Sequence, residues 1–210
     1  SISPQSIDVN PLPDIDITVA PNPICVDDNA TLLFSAPNGT PPYIVDYFDG
    51  FIAKTENVPA AGSNVLVNPT NTTTYTLSFV TDDKGCKSNL TDDVTLVVNE
   101  IPQVTLTTLD EICKNDIMYL KFDFTAGSAP WTITYNLDGN SYTVPINYSS
   151  DSISINLSSS TIYTVNSVTD NNNCKNDIEE TVTITVNSLP EIKLSGGGSL
   201  CADGSTTDIT

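Results

Sequence analysis

The chain has 210 residues, room for one large domain or for two of roughly 100 residues each. Seven lysines, no arginine and no histidine stand against 26 acidic residues, a net charge of −19. That balance excludes a phosphate-backbone binder, arginine-clamp recognition and histidine-based catalysis or zinc ligation. The apolar fraction is 39%, with Asn, Ser, Thr and Asp abundant, which favours short elements joined by polar turns. No run approaches the 18 apolar residues that would suggest a membrane-spanning helix, so no membrane insertion is expected. Residues 1–20 lack the basic start and apolar stretch of a signal peptide, so any export signal is expected elsewhere.

In chain order, IDVNPLP (7–13) reads like the closing VVNEIP (97–102) and TVNSLP (185–190) of two later segments. Cys25 follows a proline-rich stretch. Gly39-Thr-Pro-Pro-Tyr43 opens a strand that carries Tyr47, and TYTLSFV (74–80) alternates Tyr75, Leu77 and Phe79 against polar residues. Such alternation predicts a half-buried strand. Cys86 and VTLVVN (94–99) follow, and EIP (100–102) forms a joint. Further strands are predicted at 103–107, 117–124, 131–137, 140–145, 152–157, 161–168 and 180–187, with no helix. SLP (188–190) forms a second joint, and Cys201 stands near the end.

These landmarks repeat with an offset of 88: Cys25, Cys113 and Cys201; Cys86 and Cys174; Gly39 and Gly127; Tyr75 and Tyr163. The expected organisation is therefore the end of a preceding repeat (1–13), repeat 1 (14–101), repeat 2 (102–189) and the start of a following repeat (190–210). Seven strands in about 90 residues, cut by turns, predict an all-β fold of tandem immunoglobulin-like antiparallel sandwiches. Proline in three-residue joints leaves little slack, so the repeats are expected to stack as a semi-rigid rod.

Cys25 and Cys86 are 61 residues apart, as are Cys113 and Cys174. One disulfide closing each repeat is the expected arrangement, with Cys201 unpaired because its mate would lie near position 262. The rival pairing, Cys86–Cys113 with Cys174–Cys201, puts most of two extended strands between partners, too far for a disulfide. Disulfides would place the protein outside the cytosol. Tyr43, Tyr47, Trp131 and Tyr135 lie four apart in pairs on strand faces. With Tyr75 and Tyr163 they are expected as core aromatics, a sugar-stacking platform of Tyr43, Tyr47, Trp131 and Tyr135 being the alternative.

Acidic pairs fall in turns: Asp27-Asp28, Asp82-Asp83, Asp92-Asp93, Asp110-Glu111, Asp170 and Glu179-Glu180. A solvated acidic surface that guards strand edges is the expected role. Asp82, Asp83 and Asp170 are the candidates for calcium, although no EF-hand loop pattern occurs. No other cofactor is expected. No histidine is present to activate the many serines and threonines, so no catalytic residue is assigned. Sequons such as Asn71-Thr72-Thr73 and Asn156-Leu157-Ser158 would matter only in a glycosylating host.

Four patterns together resemble a known family. They are a cysteine ahead of the second strand, G-x-x-P-[YW]-x-[IV]-x-Y, T-x-Y-x-[LV]-x-x-V-T-D-x-x-x-C and V-T-x-x-V-N. The chain resembles the tandem immunoglobulin-like repeats of giant surface adhesins of gliding Bacteroidota. The resemblance implies type IX secretion, display on the outer surface and a non-catalytic adhesive stalk moved by a gliding motor. Implied partners are neighbouring repeats, surface polysaccharide and other surface or secretion proteins. Tyr75 and Tyr163 stand eleven residues before the second cysteine, so that cysteine is expected in the turn after the strand. A spacer array on an exported carbohydrate-active enzyme and a calcium- or carbohydrate-binding module are the alternatives.

Overall fold

The computed structural model describes residues 9–60, 62–108, 111–193 and 195. Cys201 and Asp110 lie outside the described residues, as do most of 1–13 and of 190–210. The described residues are all-β. Residues 14–99 form β1 (Asp14–Ala20), β2 (Ile24–Cys25), β3 (Ala30–Asn38), β4 (Tyr43–Phe48), β5 (Ala53–Val58), β6 (Ser63–Val67), β7 (Thr73–Thr81), β8 (Lys87–Asn89), β9 (Asp93–Leu96) and β10 (Val98–Asn99). Residues 103–187 form β11 (Gln103–Thr107), β12 (Glu111–Cys113), β13 (Ile117–Ala126), β14 (Trp131–Leu137), β15 (Asn140–Ile146), β16 (Ser150–Asn156), β17 (Thr161–Thr169) and β18 (Lys175–Asn187).

The two sets share one topology. A three-stranded antiparallel sheet, β1-β3-β6, recurs as β11-β13-β16. The larger sheet β5-β4-β7-β8, with β9 also on β7, recurs as β15-β14-β17-β18. A short parallel pairing closes each set, β2 on β10 and β12 on β18. The single 13-residue β18 thus spans the stretch that β8, β9 and β10 share in the first copy.

Period-two patterning builds these sheets. In β13 the side chains of Met118, Leu120, Phe122 and Phe124 turn inward, while Ile117, Tyr119 and Lys121 turn out. Two separate apolar clusters result. Ile15, Leu32, Phe34, Val45, Leu77 and Leu96 anchor the first. Leu120, Phe122, Trp131, Ile133, Tyr163 and Ile184 anchor the second. Each sandwich-like module therefore buries its own core.

One strand departs from its sequence pattern. Tyr75 and Leu77 are buried, but Phe79 is exposed and Val80 takes the inward place. The pairing shifts at this point: Tyr47 faces Leu77 while Asp46 faces Phe79, leaving Ser78 as an extra residue. The second copy shifts identically, with Asn166 left over between Val165 and Ser167. A bulge reverses the face of every later side chain. Phe79 instead lies beneath the Lys87 ammonium, 4.3 Å from its ring centroid.

Five of the six aromatics expected in the core lie there. Tyr43, Tyr47, Tyr75, Trp131 and Tyr163 are buried, whereas Tyr135 is half-buried, stacked between Tyr142 and Tyr163. Phe124 stacks on Trp131 with centroids 4.3 Å apart. Gly127 makes that region possible. Its φ is +84°, and a Cβ there would sit 2.8 Å from the Pro102 Cβ and 3.1 Å from the Trp131 indole nitrogen.

The second core holds a polar oddity: the Tyr163 hydroxyl is buried with no hydrogen-bond partner among the described residues. Burial, and secondarily the charge of Tyr135, push its ionisation well above the usual tyrosine value. Burial leads the same upward shift at Tyr47, Tyr75 and Tyr135. A raised folded-state value means the unfolded chain releases these protons first. Stability is therefore complete below about pH 10 and declines as pH rises above it. Urea midpoints measured from pH 8 to 11.5 should show that decline, and Tyr163→Phe should make it shallower without lowering the midpoint at pH 8. Leu32→Ala and Leu120→Ala should each cost about 2–5 kcal/mol in urea unfolding of the reduced protein. Their effects should add, because the two clusters share no residue.

Candidate functional site

Two turns recur in both modules, one at each end. At the closing end, β2 or β12 runs beside the end of the last strand. The Val26 N–H donates to the Asn99 carbonyl at 2.9 Å, and the Lys114 N–H to the Asn187 carbonyl at 2.9 Å. The Asp28 N–H donates to the Cys25 carbonyl at 3.1 Å, and Asp116 to Cys113 likewise. Between them Asp27 and Asn115 both adopt φ of 70°, which short polar side chains tolerate. Neighbouring loops brace the turn: the Asn68 amide donates to the carbonyls of Asp27 and Asp28, and the Asn156 amide to that of Asn115.

At the opening end a buried carboxylate organises the other turn. Asp82 Oδ1 accepts from the Lys84 and Cys86 N–H groups at 3.0 and 2.8 Å, and Oδ2 accepts from Thr40 at 3.1 Å. Asp170 repeats this with Asn172, Cys174 and Ser128, all at 2.9 Å. Both side chains are buried, so they are not part of a solvated acidic surface. Their oxygens are committed to backbone donors, and the two residues belong to different modules. Among the described residues no group of metal-ligating side chains is assembled, and Asp83 carries only an exposed contact with Lys84. Of the three calcium candidates Asp82, Asp83 and Asp170, Asp82 and Asp170 are turn organisers whose carboxylates accept backbone N–H groups.

These two turns decide the cysteine pairing. Cys25 is bonded to Cys174, with Cα atoms 5.6 Å apart, across 149 residues and across the joint. Cys86 and Cys113 are free thiols. The expected pairs Cys25–Cys86 and Cys113–Cys174 are both replaced. The reason is strand length. Cys25 lies against Asn99 at the closing end, beyond the Thr73–Leu96 pairing, while Cys86 follows Thr81 at the opening end. The nine residues of β7 separate those ends by roughly 25–30 Å at about 3.3 Å per residue. A disulfide tolerates less than about 7 Å.

Across the joint the distances collapse. The first module ends at Asn99, beside Cys25. Three residues later, Pro102 packs against Gly127 and accepts a hydrogen bond at 3.0 Å from the Asn176 amide, two residues past Cys174. The closing turn of one module thus meets the opening turn of the next. A groove of about 480 Å³ runs alongside, lined by apolar and polar residues of both modules including Pro23, Ile24, Cys25, Asn99 and Asn172.

Of the four residues of the sugar-platform alternative, Tyr43, Tyr47 and Trp131 are buried in the cores and Tyr135 is half-buried. A separate open cavity of about 450 Å³ in the first module is lined by Tyr47, Asp49, Phe51, Lys54 and Glu56 among others. Its carboxylates are engaged locally. Asp49 accepts from the Phe51 and Ile52 N–H groups, bonds that with Lys54 hold its carboxyl below the usual range. Glu56 accepts from the Ser63 hydroxyl at 2.5 Å.

No family model matches the chain, and no curated protein matches it. Solved structures with some similarity include a mutant alpha-2-macroglobulin of Salmonella, at 10% identity and a TM-score of 0.32 over 81% of this chain and 16% of that one. Two forms of the E. coli alpha-2-macroglobulin also appear, both at 6% identity and TM-score 0.31. The native form is matched over 90% of this chain and 18% of its own, and the trypsin-activated form over 84% and 17%. The chain thus spans less than a fifth of these proteins' length.

Peptide mapping of the alkylated, unreduced protein should recover Cys25 linked to Cys174 and alkylated Cys86 and Cys113. A Cys25–Cys86 peptide would refute the cross-joint pairing. Asp170→Ala leaves three turn donors without their acceptor and should lower stability by about 1–3 kcal/mol or more in urea unfolding.

Proposed function

We propose that this chain is a non-catalytic stretch of a large extracellular surface adhesin, in which immunoglobulin-like modules stack end to end as a disulfide-stapled stalk. The observation that carries the reading is the Cys25–Cys174 bridge across a three-residue joint. A joint made of backbone alone lets two modules swing. A second covalent link beside it removes most of that freedom, which is what a stalk under lateral load requires. In the chain-entropy picture, closing 149 residues also stabilises by about 5 kcal/mol.

Three further features support the reading. Disulfides persist in oxidising surroundings, which fits an extracellular location. The net charge of −19 discourages lateral association of such filaments. Separate cores let modules be added without rebuilding any one of them. Surface display by type IX secretion and coupling to gliding belong to this reading through the sequence resemblance. The partners it implies are further modules of the same chain, surface polysaccharide and other surface proteins.

Two measurements test it. Antibodies against the chain should label intact cells of the source organism, and their Fab fragments should reduce attachment to a surface. Label that needs permeabilised cells, or a hydrolase domain on the same full-length polypeptide, would replace the adhesin reading. In solution, X-ray scattering of the oxidised chain should give a maximum dimension of roughly 80 Å, two lengths of a 13-residue strand laid end to end. Cys25→Ser should broaden that distribution.

A further inference from the structure

Cys86 and Cys113 have no partner of their own kind among the described residues, yet each sits in the same turn as a cysteine that does. Cys113 shares the closing turn with Cys25: the same strand pairing, the same carbonyl-to-amide bonds and the same positive φ two residues on. Cys86 shares the opening turn with Cys174, down to the three amides that converge on Asp82 and Asp170. What differs is cover. Cys174 is fully buried where the first module meets it, while Cys86 is only partly buried. Cys25 is partly buried and Cys113 is exposed.

We propose that Cys113 and Cys86 are half-staples. Cys113 closes on the opening-turn cysteine of a module that follows, and Cys86 on the closing-turn cysteine of a module that precedes. The occupant at both ends is another module of this kind, joined as the two here are joined. Successive modules are then linked by an offset chain of disulfides, each spanning 149 residues and crossing one joint. No disulfide closes a single module. The proposal deepens the stalk reading and rests on it for its biological setting, but the chemistry is a property of the two turns. Each closure converts two thiols to one disulfide. Two protons and two electrons leave, and oxidised glutathione takes them up to become two reduced molecules.

The test is a chain in which residues 102–189 are duplicated in frame directly after residue 189, refolded in a glutathione redox buffer and mapped without reduction. Cys113 should be found linked to the cysteine 149 residues after it, with Cys25–Cys174 retained and Cys86 alkylated. Cys113 left alkylated beside an intact Cys25–Cys174 link overturns the proposal. So does Cys113 paired with Cys174, or loss of the Cys25–Cys174 link. The unaltered chain offers a second arm at about millimolar concentration, near the effective concentration that a short joint supplies. Oxidation should then yield head-to-tail oligomers joined Cys113 to Cys86, abolished by either Cys86→Ser or Cys113→Ser. Monomers alone, or symmetric Cys113–Cys113 dimers, count against it. Neither arm depends on where the protein resides in the cell, so the adhesin reading can fail while the staple stands.

Discussion

A β-strand of nine residues is too long for a disulfide to reach from one of its ends to the other. Because β7 and its neighbours run the length of the module, the turn holding Cys25 and the turn holding Cys86 are kept at opposite ends. Each module therefore presents one cysteine at its opening face and one at its closing face. Among the described residues, the cysteine that meets Cys25 at the closing face of the first module is Cys174 of the second. The bridge between modules follows from that separation.

The turns that present the cysteines are built with unusual economy of side chains. One buried aspartate per module gathers three backbone amides and holds the cysteine-bearing loop against the Gly39 or Gly127 turn. The joint proline packs on that same glycine in the second module. Pro102, Gly127 and Trp131 thus lie together where the joint meets the second core, with Phe124 stacked on Trp131.

Chemically the molecule is sparse. Some of its large aromatics fill the cores while Phe51, Tyr119 and Tyr148 among others are exposed, and the carboxylates of the first module's open cavity, Asp49 and Glu56, are engaged by neighbouring donors. Among the described residues, each module keeps one free cysteine in a hydrogen-bonded turn, Cys86 in the first and Cys113 in the second. A part whose specificity lies in its ends is suited to serial assembly, and this is the physical content of the stalk reading.

The sequence alone determined the all-β class, the 88-residue offset and the place of several strands, but not their number: seven were expected per repeat, where the described residues form ten in the first module and eight in the second. The 88-residue offset and period-two patterning are local signals, and 103–107 and 131–137 coincide with β11 and β14 because nothing in the fold overrides them. Three things were decided only by tertiary structure. Phe79 turned outward because a bulge at Ser78 shifts the register, which no alternation of residue types records. Asp82 and Asp170 look like any other acidic turn residues, and only the folding of the Thr40 and Ser128 loops onto them reveals buried organisers. The cysteine partners escaped because equal spacing of 61 within each repeat suggests closure, whereas distance in space depends on which way the intervening strands run.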